Sequence, residues 1–217
     1  MTSTQAAREP ILDRAKRKAD RLFGPFGIFF KGFVKHPVMV GAIVPSSQRT
    51  INRMLSKTDW DQCRLFVEYG PGVGTFCRPV LERLRRDGRL IVIDTNPDFI
   101  AYLSKTIGDS RFTAVHGSAD EVEEIVRAHG FEHADYVLSG LPFSTLPEGV
   151  GPEIMAATHR VLRPGGAFLV YQYTTRAREL MSKYFRHIDK GYEPVNVPPC
   201  VLSVSYTHLT LPTKRIV

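Results

Sequence analysis

Short apolar runs rich in β-branched residues alternate with helical patterns from Leu65 onward. Runs of this kind predict buried strands of a parallel sheet, and the segments between them predict covering helices. Five strands are predicted, at Leu65–Tyr69, Leu90–Asp94, Phe112–His116, Tyr136–Ser139 and Ala167–Tyr173. Helices are predicted at 75–86, 97–107, 120–129, 147–162 and 176–186. The pattern indicates an α/β fold, a doubly wound and mostly parallel sheet with helices on both faces.

Two of these helices carry recognisable start signals. Asn96-Pro97 is typical of an N-cap followed by a first-turn proline. Ser118 and Glu121 have the spacing of a capping box.

The first 55 residues form a separate predicted layer with an amphipathic helix at 11–23. At 100° per residue its apolar side chains fall within an arc of about 120°. They are Ile11, Leu12, Ala15, Ala19, Leu22 and Phe23, and the opposite arc holds Arg14, Arg17, Lys18 and Arg21. Such a helix either packs on the domain with a solvated basic face or lies in the headgroup layer of a membrane. The phenylalanines of residues 26–33, which lie beside Lys31 and Lys35, favour the membrane.

Charge is concentrated in the same part of the chain. The 217 residues carry a net charge of +7, and residues 1–40 hold eight basic and three acidic side chains. A nearly neutral body with a basic arm predicts a polyanionic partner, either nucleic acid or an anionic lipid surface. No secretory signal and no apolar run of 18 residues is present, so we expect a cytoplasmic protein that does not span a membrane. Three scattered cysteines predict neither a disulfide framework nor a metal site.

The carboxyl-terminal residues raise a question of origin. Val204–Thr213 resembles the translation of a transposase adapter used in sequencing libraries. Val201–Tyr206 also alternates like a last strand, so both interpretations stay open. We favour the adapter and divide the chain into an amino-terminal layer (1–55), a catalytic domain (56–203) and a probable artefact (204–217).

A glycine-rich turn follows the first predicted strand. Phe66–Thr75 contains Glu68-x-Gly70-x-Gly72-x-Gly74 and leads into a helix. Glycines let the backbone approach a ligand, and the following helix start favours its negative end. A dinucleotide fingerprint would place its third glycine at position 75, which is threonine. Asp94 ends the second strand about twenty residues later, where a carboxylate can hold both hydroxyls of a ribose.

This combination resembles motif I of the class I S-adenosylmethionine-dependent methyltransferases, which have a Rossmann-like fold. The resemblance implies that S-adenosylmethionine is the cofactor, without a metal ion. It places Glu68 near the methionine ammonium, Asp94 at the ribose with Thr95 as a further cofactor-binding residue, and Ser118, Ala119 and Asp120 at the adenine. Each has a plainer interpretation, since Glu68 can be an inert buried acid, Ser118 only a helix cap and Asp120 a first-turn acid. Leu162–Gly166 before the fifth strand is a further family mark.

The loop after the fourth strand faces the reaction centre in such a fold. Gly140-Leu-Pro-Phe143 resembles the Asn-Leu-Pro-Phe/Tyr loop of amino-group methyltransferases, with glycine in place of asparagine, which argues against adenine as substrate. We expect the Gly140 carbonyl and Ser139 to orient an amine, with Tyr171 and Tyr173 as further candidates. Leu141, Pro142, Phe143 and Asn196 are candidates for substrate contact. Phe143 can equally belong to the core, and both tyrosines can be half-buried strand residues.

Several segments together resemble the soluble bacterial phospholipid N-methyltransferases. They are the basic amphipathic start, Val40–Ser47, Glu68–Gly74, Ser139–Phe143, Tyr171–Tyr173 and Asn196–Pro199. The resemblance implies stepwise methylation of phosphatidylethanolamine towards phosphatidylcholine, with peripheral attachment to the inner face of the plasma membrane. An ornithine lipid stays open as substrate. The rival hypotheses are an RNA adenine-N6 methyltransferase and a non-catalytic module that binds S-adenosylmethionine.

Overall fold

The computed structural model describes residues 48–172, 176–193 and 200–207, with the side chains of residues 172, 176, 190, 192, 193 and 200 left aside. Seven strands are present in this part of the chain: β1 (Leu65–Tyr69), β2 (Arg89–Asp94), β3 (Phe112–His116), β4 (Ala134–Ser139), β5 (Leu162–Gln172), β6 (His187–Glu193) and β7 (Cys200–Tyr206). The helices are α1 (Gln48–Leu55), α2 (Cys77–Arg83), α3 (Pro97–Thr106), α4 (Val122–Ala128), α5 (Val150–Val161) and α6 (Arg176–Tyr184). A 3₁₀ turn at Ala119–Glu121 precedes α4.

All seven strands form one sheet in the order β3-β2-β1-β4-β5-β7-β6. Strands β1 to β5 are parallel, whereas β7 runs antiparallel to both of its neighbours. The chain reverses its direction of winding between β1 and β4, and a doubly wound sheet opens a crevice at this point, beyond the carboxyl ends of its strands.

Two apolar layers cover the sheet because strand side chains alternate between its faces. Phe66 of β1 packs in one layer with α1 and α2, and Leu103 of α3 joins them there. Val67 packs in the other layer with α4, α5 and α6. The prediction of a mostly parallel sheet with helices on both faces is confirmed.

The predicted start signals act as expected. The Asn96 side chain accepts a hydrogen bond from the Asp98 backbone N–H at 2.9 Å, and Pro97 opens α3. The Ser118 backbone N–H donates to Glu121 Oε2 at 2.8 Å, as a capping box requires.

Strand β5 begins earlier than the sequence predicted. Leu162 pairs with Ala134, and a register shift between Ala134 and Tyr136 accommodates the glycines before Ala167. Leu162–Gly166 is therefore strand rather than a turn that precedes the strand. Asp135, beside this irregularity, accepts the backbone N–H groups of Arg64 and Leu65, each at 2.8 Å, and forms an ion pair with Arg163.

Residues 48–55 and 204–207, from the two outer parts of the predicted division, pack in the fold. Helix α1 belongs to the predicted layer 1–55, and its Ile51, Met54 and Leu55 are buried in the core. Strand β7 lies between β5 and β6, and its Val204 and Ser205 are buried. The boundary predicted at residue 203 therefore falls inside a strand. Residues 1–47, with the predicted amphipathic helix, and 208–217 lie outside the described residues.

No helix in the described ranges is long and apolar enough to cross a membrane.

Candidate active site

A cavity of about 460 Å³ opens at the carboxyl ends of the parallel strands. Its wall is built from the turn after β1, the end of β2 with the start of α3, the turn after β3, and the long loop after β4 with the start of α5. This is the location that the sheet order specifies for a ligand. Among the predicted site residues, Gly70, Gly72, Asp94, Thr95, Ser118, Ala119, Gly140, Leu141 and Pro142 line it.

The glycine turn needs its glycines for two different reasons. Gly70, Gly72 and Gly74 all have positive φ, at 63°, 54° and 82°. A Cβ added to Gly72 would meet nothing within 4 Å, so its backbone faces open space on the cavity side. A Cβ added to Gly74 would collide with Leu103 and lie 3.2 Å from Cys77 Sγ. Gly72 thus leaves room for a ligand, while Gly74 lets α2 pack closely and does not line the cavity.

Asp94 ends β2 at the edge of the cavity. Its Oδ1 accepts the Asn96 backbone N–H at 2.8 Å. Burial raises the pKa of the Asp94 carboxyl to about 6, and hydrogen bonds from the N–H groups of Asn96 and Gly72 limit the rise. The side chain is therefore mainly a carboxylate at neutral pH, and an acceptor of this kind can hold a pair of sugar hydroxyls.

Glu68 lies beneath the glycine turn and does not line the cavity. Its side chain is fully buried; Oε2 accepts a hydrogen bond from Cys77 Sγ at 3.6 Å, and Oε1 has no partner among the described residues. Burial raises the pKa of the Glu68 carboxyl to about 8, the Cys77 hydrogen bond lowers it, and the negative charge of Asp94 raises it. Glu68 is thus mainly a neutral acid at pH 7. Its contact with a methionine ammonium stays a prediction.

The residues predicted at the adenine have different positions. Ser118 and Ala119 line the cavity, as does Thr95, directly after β2. Asp120 does not line it, and its carboxylate accepts a hydrogen bond from the Ser118 hydroxyl. The predicted contact of Asp120 with the adenine stays a prediction.

The predicted site residues in the loop after β4 also differ in whether they line the cavity. Gly140, Leu141 and Pro142 line the cavity, whereas Phe143 is 3% exposed and packs in the core. Ser139 is buried, and its Oγ accepts the Leu141 backbone N–H at 3.2 Å. The structure therefore places Phe143 in the core, the plainer of its two interpretations, and gives Ser139 a role in shaping the loop.

Tyr171 is 8% exposed and lies beside Gly140 at the end of β5. Its ring is 4.9 Å from that of Phe76, centroid to centroid. Tyr173 and Asn196 lie outside the described residues, so their predicted roles have no geometry here.

Sequence reasoning missed two parts of the wall. Asn96, Pro97 and Phe99 extend it along the start of α3. The Asn-Pro pair was interpreted only as a helix cap, although its position directly after Asp94 was a usable signal. The other part is apolar, runs from the β4 loop into α5, and comprises Thr145, Leu146, Pro147, Val150 and Ile154. No motif marks these residues.

Comparison with known proteins fits this geometry. Residues 66–166 match the family model described as "Methyltransferase domain". The chain carries an S-adenosylmethionine-dependent methyltransferase domain. The match runs from β1 into β5 and includes Gly70, Gly72 and Asp94 of the cavity wall.

Individual relatives extend the comparison. An ornithine lipid N-methyltransferase of Singulisphaera acidiphila is 28% identical over 176 residues, which cover 80% of this chain and 92% of the relative. A ribosomal RNA small subunit methyltransferase H of Nitrosospira multiformis is 36% identical over 81 residues, 37% of this chain and 25% of that protein. The solved structure of the N-methyltransferase NodS of Bradyrhizobium japonicum with S-adenosylhomocysteine superposes with a TM-score of 0.58 at 14% identity, over 73% of this chain and 84% of that one. The last likeness supports the fold.

The methyltransferase domain has a cavity suited to its methyl donor. The open space at Gly72, the Asp94 carboxylate and the apolar wall at Ala119 and Leu141 match a ligand with a sugar and a flat ring. When bound there, S-adenosylmethionine supplies an electrophilic methyl group on a positively charged sulfur. In the described ranges no group of three or more His, Cys, Asp or Glu side chains is arranged to hold a metal ion.

Proposed function

We propose that this methyltransferase transfers methyl groups to the amine head group of a membrane lipid, with phosphatidylethanolamine as the substrate and phosphatidylcholine as the final product. The observation that carries the proposal is the similarity to the ornithine lipid N-methyltransferase, which extends over 92% of that relative. The matched region of the ribosomal RNA methyltransferase covers only a quarter of that protein. The match to the lipid enzyme covers 176 residues and so extends beyond residues 66–166, the part of the chain that matches the methyltransferase family model.

An ornithine lipid is the second candidate substrate, because the same relative is named for it. Both lipids present a primary alkyl amine on a flexible head group, so the polar groups that orient the amine can be the same. The motifs of the phospholipid N-methyltransferases, Val40–Ser47 and Asn196–Pro199 among them, favour phosphatidylethanolamine.

The acceptor must lose a proton before it can react. With a reference pKa of about 10.4 for an alkyl ammonium, deprotonation at pH 7 costs roughly 4–5 kcal/mol. A nearby positive charge lowers that pKa, because like charges disfavour the cation, so a dedicated strong base is not required. The nitrogen lone pair would then form the C–N bond to the donor's methyl group as the C–S bond breaks, with S-adenosylhomocysteine as the leaving group. The resulting methylammonium would lose one N–H proton to water before a further transfer. The role of the protein is to hold the acceptor nitrogen in line with the methyl–sulfur bond of the donor.

Oxygen atoms around Gly140 are suited to that task. Gly140 lines the cavity directly after β4, and its N–H donates to the Tyr69 carbonyl at 3.1 Å. This bond fixes the peptide at the junction of β1 and β4. We propose that the Gly140 carbonyl accepts a hydrogen bond from the amine; the Tyr171 hydroxyl lies close to the position that a Cβ of residue 140 would take.

The membrane is reached, on this proposal, through the amino-terminal arm. Its predicted helix at 11–23 carries Arg14, Arg17, Lys18 and Arg21 on one face. Each such residue near an anionic surface contributes about 1 kcal/mol, reduced by salt. Several of them with the apolar face would give reversible docking, which suits an enzyme that must release its lipid product.

A labelling experiment tests the proposed function. The protein and methyl-labelled S-adenosylmethionine are incubated with phosphatidylethanolamine vesicles, with ornithine-lipid vesicles, and in parallel with ribosomal RNA. We expect label in mono-, di- and trimethylated phosphatidylethanolamine. Label only in the ornithine lipid would move the substrate to the second candidate, and label only in RNA would refute the lipid assignment. Label in none, with cofactor binding intact, would favour the non-catalytic module.

A further inference from the structure

Asn96 lies on the cavity wall with one half of its side-chain amide unused. It follows Thr95 in the wall and is partly buried. Its Oδ1 accepts the Asp98 backbone N–H at 2.9 Å, as the cap of α3. Only the oxygen of an amide can accept such a bond, so the cap fixes which way round the amide lies. The other atom, Nδ2, carries two N–H donors and has no hydrogen-bond partner among the described residues.

The backbone that carries Asn96 is held in place by β3. The Gly117 N–H donates to the Asp94 carbonyl at 3.2 Å. His116 Nε2 lies 3.1 Å from the Thr95 carbonyl, which can only accept, so the ring nitrogen is the donor. Because two successive carbonyls are bound in this way, the segment 94–96 needs little ordering when a ligand enters the cavity.

The Asp94 carboxylate meets only half of what a sugar hydroxyl requires. A hydroxyl has one O–H donor and two acceptor lone pairs, whereas a carboxylate only accepts. The backbone N–H groups of Gly72 and Asn96 are already used, since both donate to the Asp94 carboxylate. A donor to the sugar oxygens must therefore come from another group of the wall.

We propose that the Asn96 side-chain nitrogen donates a hydrogen bond to a ribose hydroxyl of the bound cofactor, so that Asp94 and Asn96 recognise the sugar together, as acceptor and donor. The Asn96 amide then serves the fold through its oxygen and the cofactor through its nitrogen. The pair distinguishes a ribose from a sugar that lacks the contacted hydroxyl. The inference goes beyond the proposed lipid function and does not depend on which acceptor is methylated.

The experiment uses the full chain and two substitutions at position 96. Asn96→Ser and Asn96→Asp both keep a good helix cap and remove the amide nitrogen, and only the second adds a charge. Asn52→Ser is the matched control, because Asn52 is exposed on α1, accepts a hydrogen bond from Arg83 at 2.9 Å and is not part of the described cavity wall. Calorimetry gives the Kd for S-adenosylhomocysteine and for its 2′-deoxy and 3′-deoxy analogues, and thermal unfolding gives the Tm.

We expect Asn96→Ser to weaken the binding of S-adenosylhomocysteine about three- to tenfold, the range for one hydrogen bond of ordinary net strength. Asn96→Asp should weaken it at least as much, while its Tm stays the same or rises, because an acid at the start of a helix is favourable. Neither substitution should change the affinity for the analogue that lacks the contacted hydroxyl, because the two deletions remove the same bond. Asn52→Ser should bind as the wild type does.

Two results would overturn the inference. One is a wild-type Kd for S-adenosylhomocysteine in both variants at position 96. The other is an equal loss of affinity for S-adenosylhomocysteine and for both deoxy analogues, which would show that the substitutions act on the shape of the wall and not on a bond to the sugar. The expected affinities in a protein that methylates no lipid would refute the proposed function and support this inference.

Discussion

The Glu68 carboxyl is buried beneath the glycine turn with one hydrogen bond, from the Cys77 thiol, and an oxygen without a partner among the described residues. A buried carboxyl in this state is costly to ionise, so burial raises its pKa from 4.5 to about 8. A raised pKa in the folded protein stabilises the fold at low pH. The contribution is fully present below about pH 4.5 and is lost as the pH rises towards about 8.

The first prediction concerns Glu68→Gln in the protein without cofactor. The variant keeps the shape of the side chain and cannot ionise, so it should gain stability over the wild type as the pH rises. Between about pH 5 and pH 8 the difference in unfolding free energy should grow by up to about 1.4 kcal/mol per pH unit. Urea denaturation at several pH values measures it. Glu82→Gln, an exposed carboxyl on α2, is the control, and a pH-independent gap for Glu68→Gln would contradict the account.

Single residues also show how far the sequence alone could go. Asp94 and the glycines were found because their chemistry is tied to fixed spacings from β1 and β2. The place of Tyr171 against Gly140 was not foreseeable, because it depends on the register of β4 with β5 and on the ring of Phe76. Phe143 lies in the core although its neighbours Leu141 and Pro142 face the cavity, and no pattern in a four-residue loop decides that.

At the scale of elements, the turn between β1 and α2 combines two demands. It must leave its backbone open to a ligand at Gly72 and bring α2 close to α3 at Gly74. The second demand is steric, since the space at Gly74 is filled by Leu103 of α3 and Cys77 of α2.

The second prediction separates this packing from backbone strain. Gly74 and Gly130 both have φ of 82°, but a Cβ at Gly130 would meet nothing within 4 Å. Gly130→Ala should cost only the strain of a left-handed residue, about 1–2 kcal/mol. Gly74→Ala should cost about 1–3 kcal/mol more, because it also overpacks the contact of α2 with α3. Chemical denaturation of the two variants measures the difference in unfolding free energy. Equal losses of stability would show that the contact of α2 with α3 accommodates the added methyl group without an energetic cost.

Elements with strong apolar patterns were predicted closely, and the others were not. The bounds of β1 and β3 are those predicted. The start of β5 was missed because Pro164-Gly165-Gly166 has the composition of a turn. The irregular pairing of Leu162 with Ala134 extends the strand back to that point. Strand β6 was missed because His187–Glu193 is largely polar; it lies at the sheet edge and pairs only with β7.

At the scale of the whole molecule, the uneven distribution of basic residues indicates that membrane attachment and cofactor binding use different parts of the chain. Eight of the 29 basic residues lie within residues 1–40, and the lining residues of the cofactor cavity that the structure describes run from Gly70 to Ile154. Membrane attachment and cofactor binding should therefore be separable.

The third prediction tests this separation by deletion of residues 1–23. The truncated protein should no longer co-sediment with anionic vesicles, because it lacks the basic amphipathic helix, and its affinity for S-adenosylmethionine should be unchanged. The full-length protein should itself detach at about 0.5 M salt, where the Debye length is a few ångströms. Undiminished sedimentation of the truncated protein would refute the role given to the arm.

The proposed methyl transfer requires that the cavity at the carboxyl ends of β1 and β2 binds S-adenosylmethionine, with Asp94 on the ribose. Calorimetric titration of the wild type, of Asp94→Asn and of the exposed control Asp98→Asn measures this directly. We predict one site per chain in the wild type and the control, and a loss of at least about tenfold in affinity for Asp94→Asn, whose neutral amide makes weaker hydrogen bonds to hydroxyls. A folded wild type that takes up no S-adenosylmethionine, or Asp94→Asn with wild-type affinity, would contradict the account.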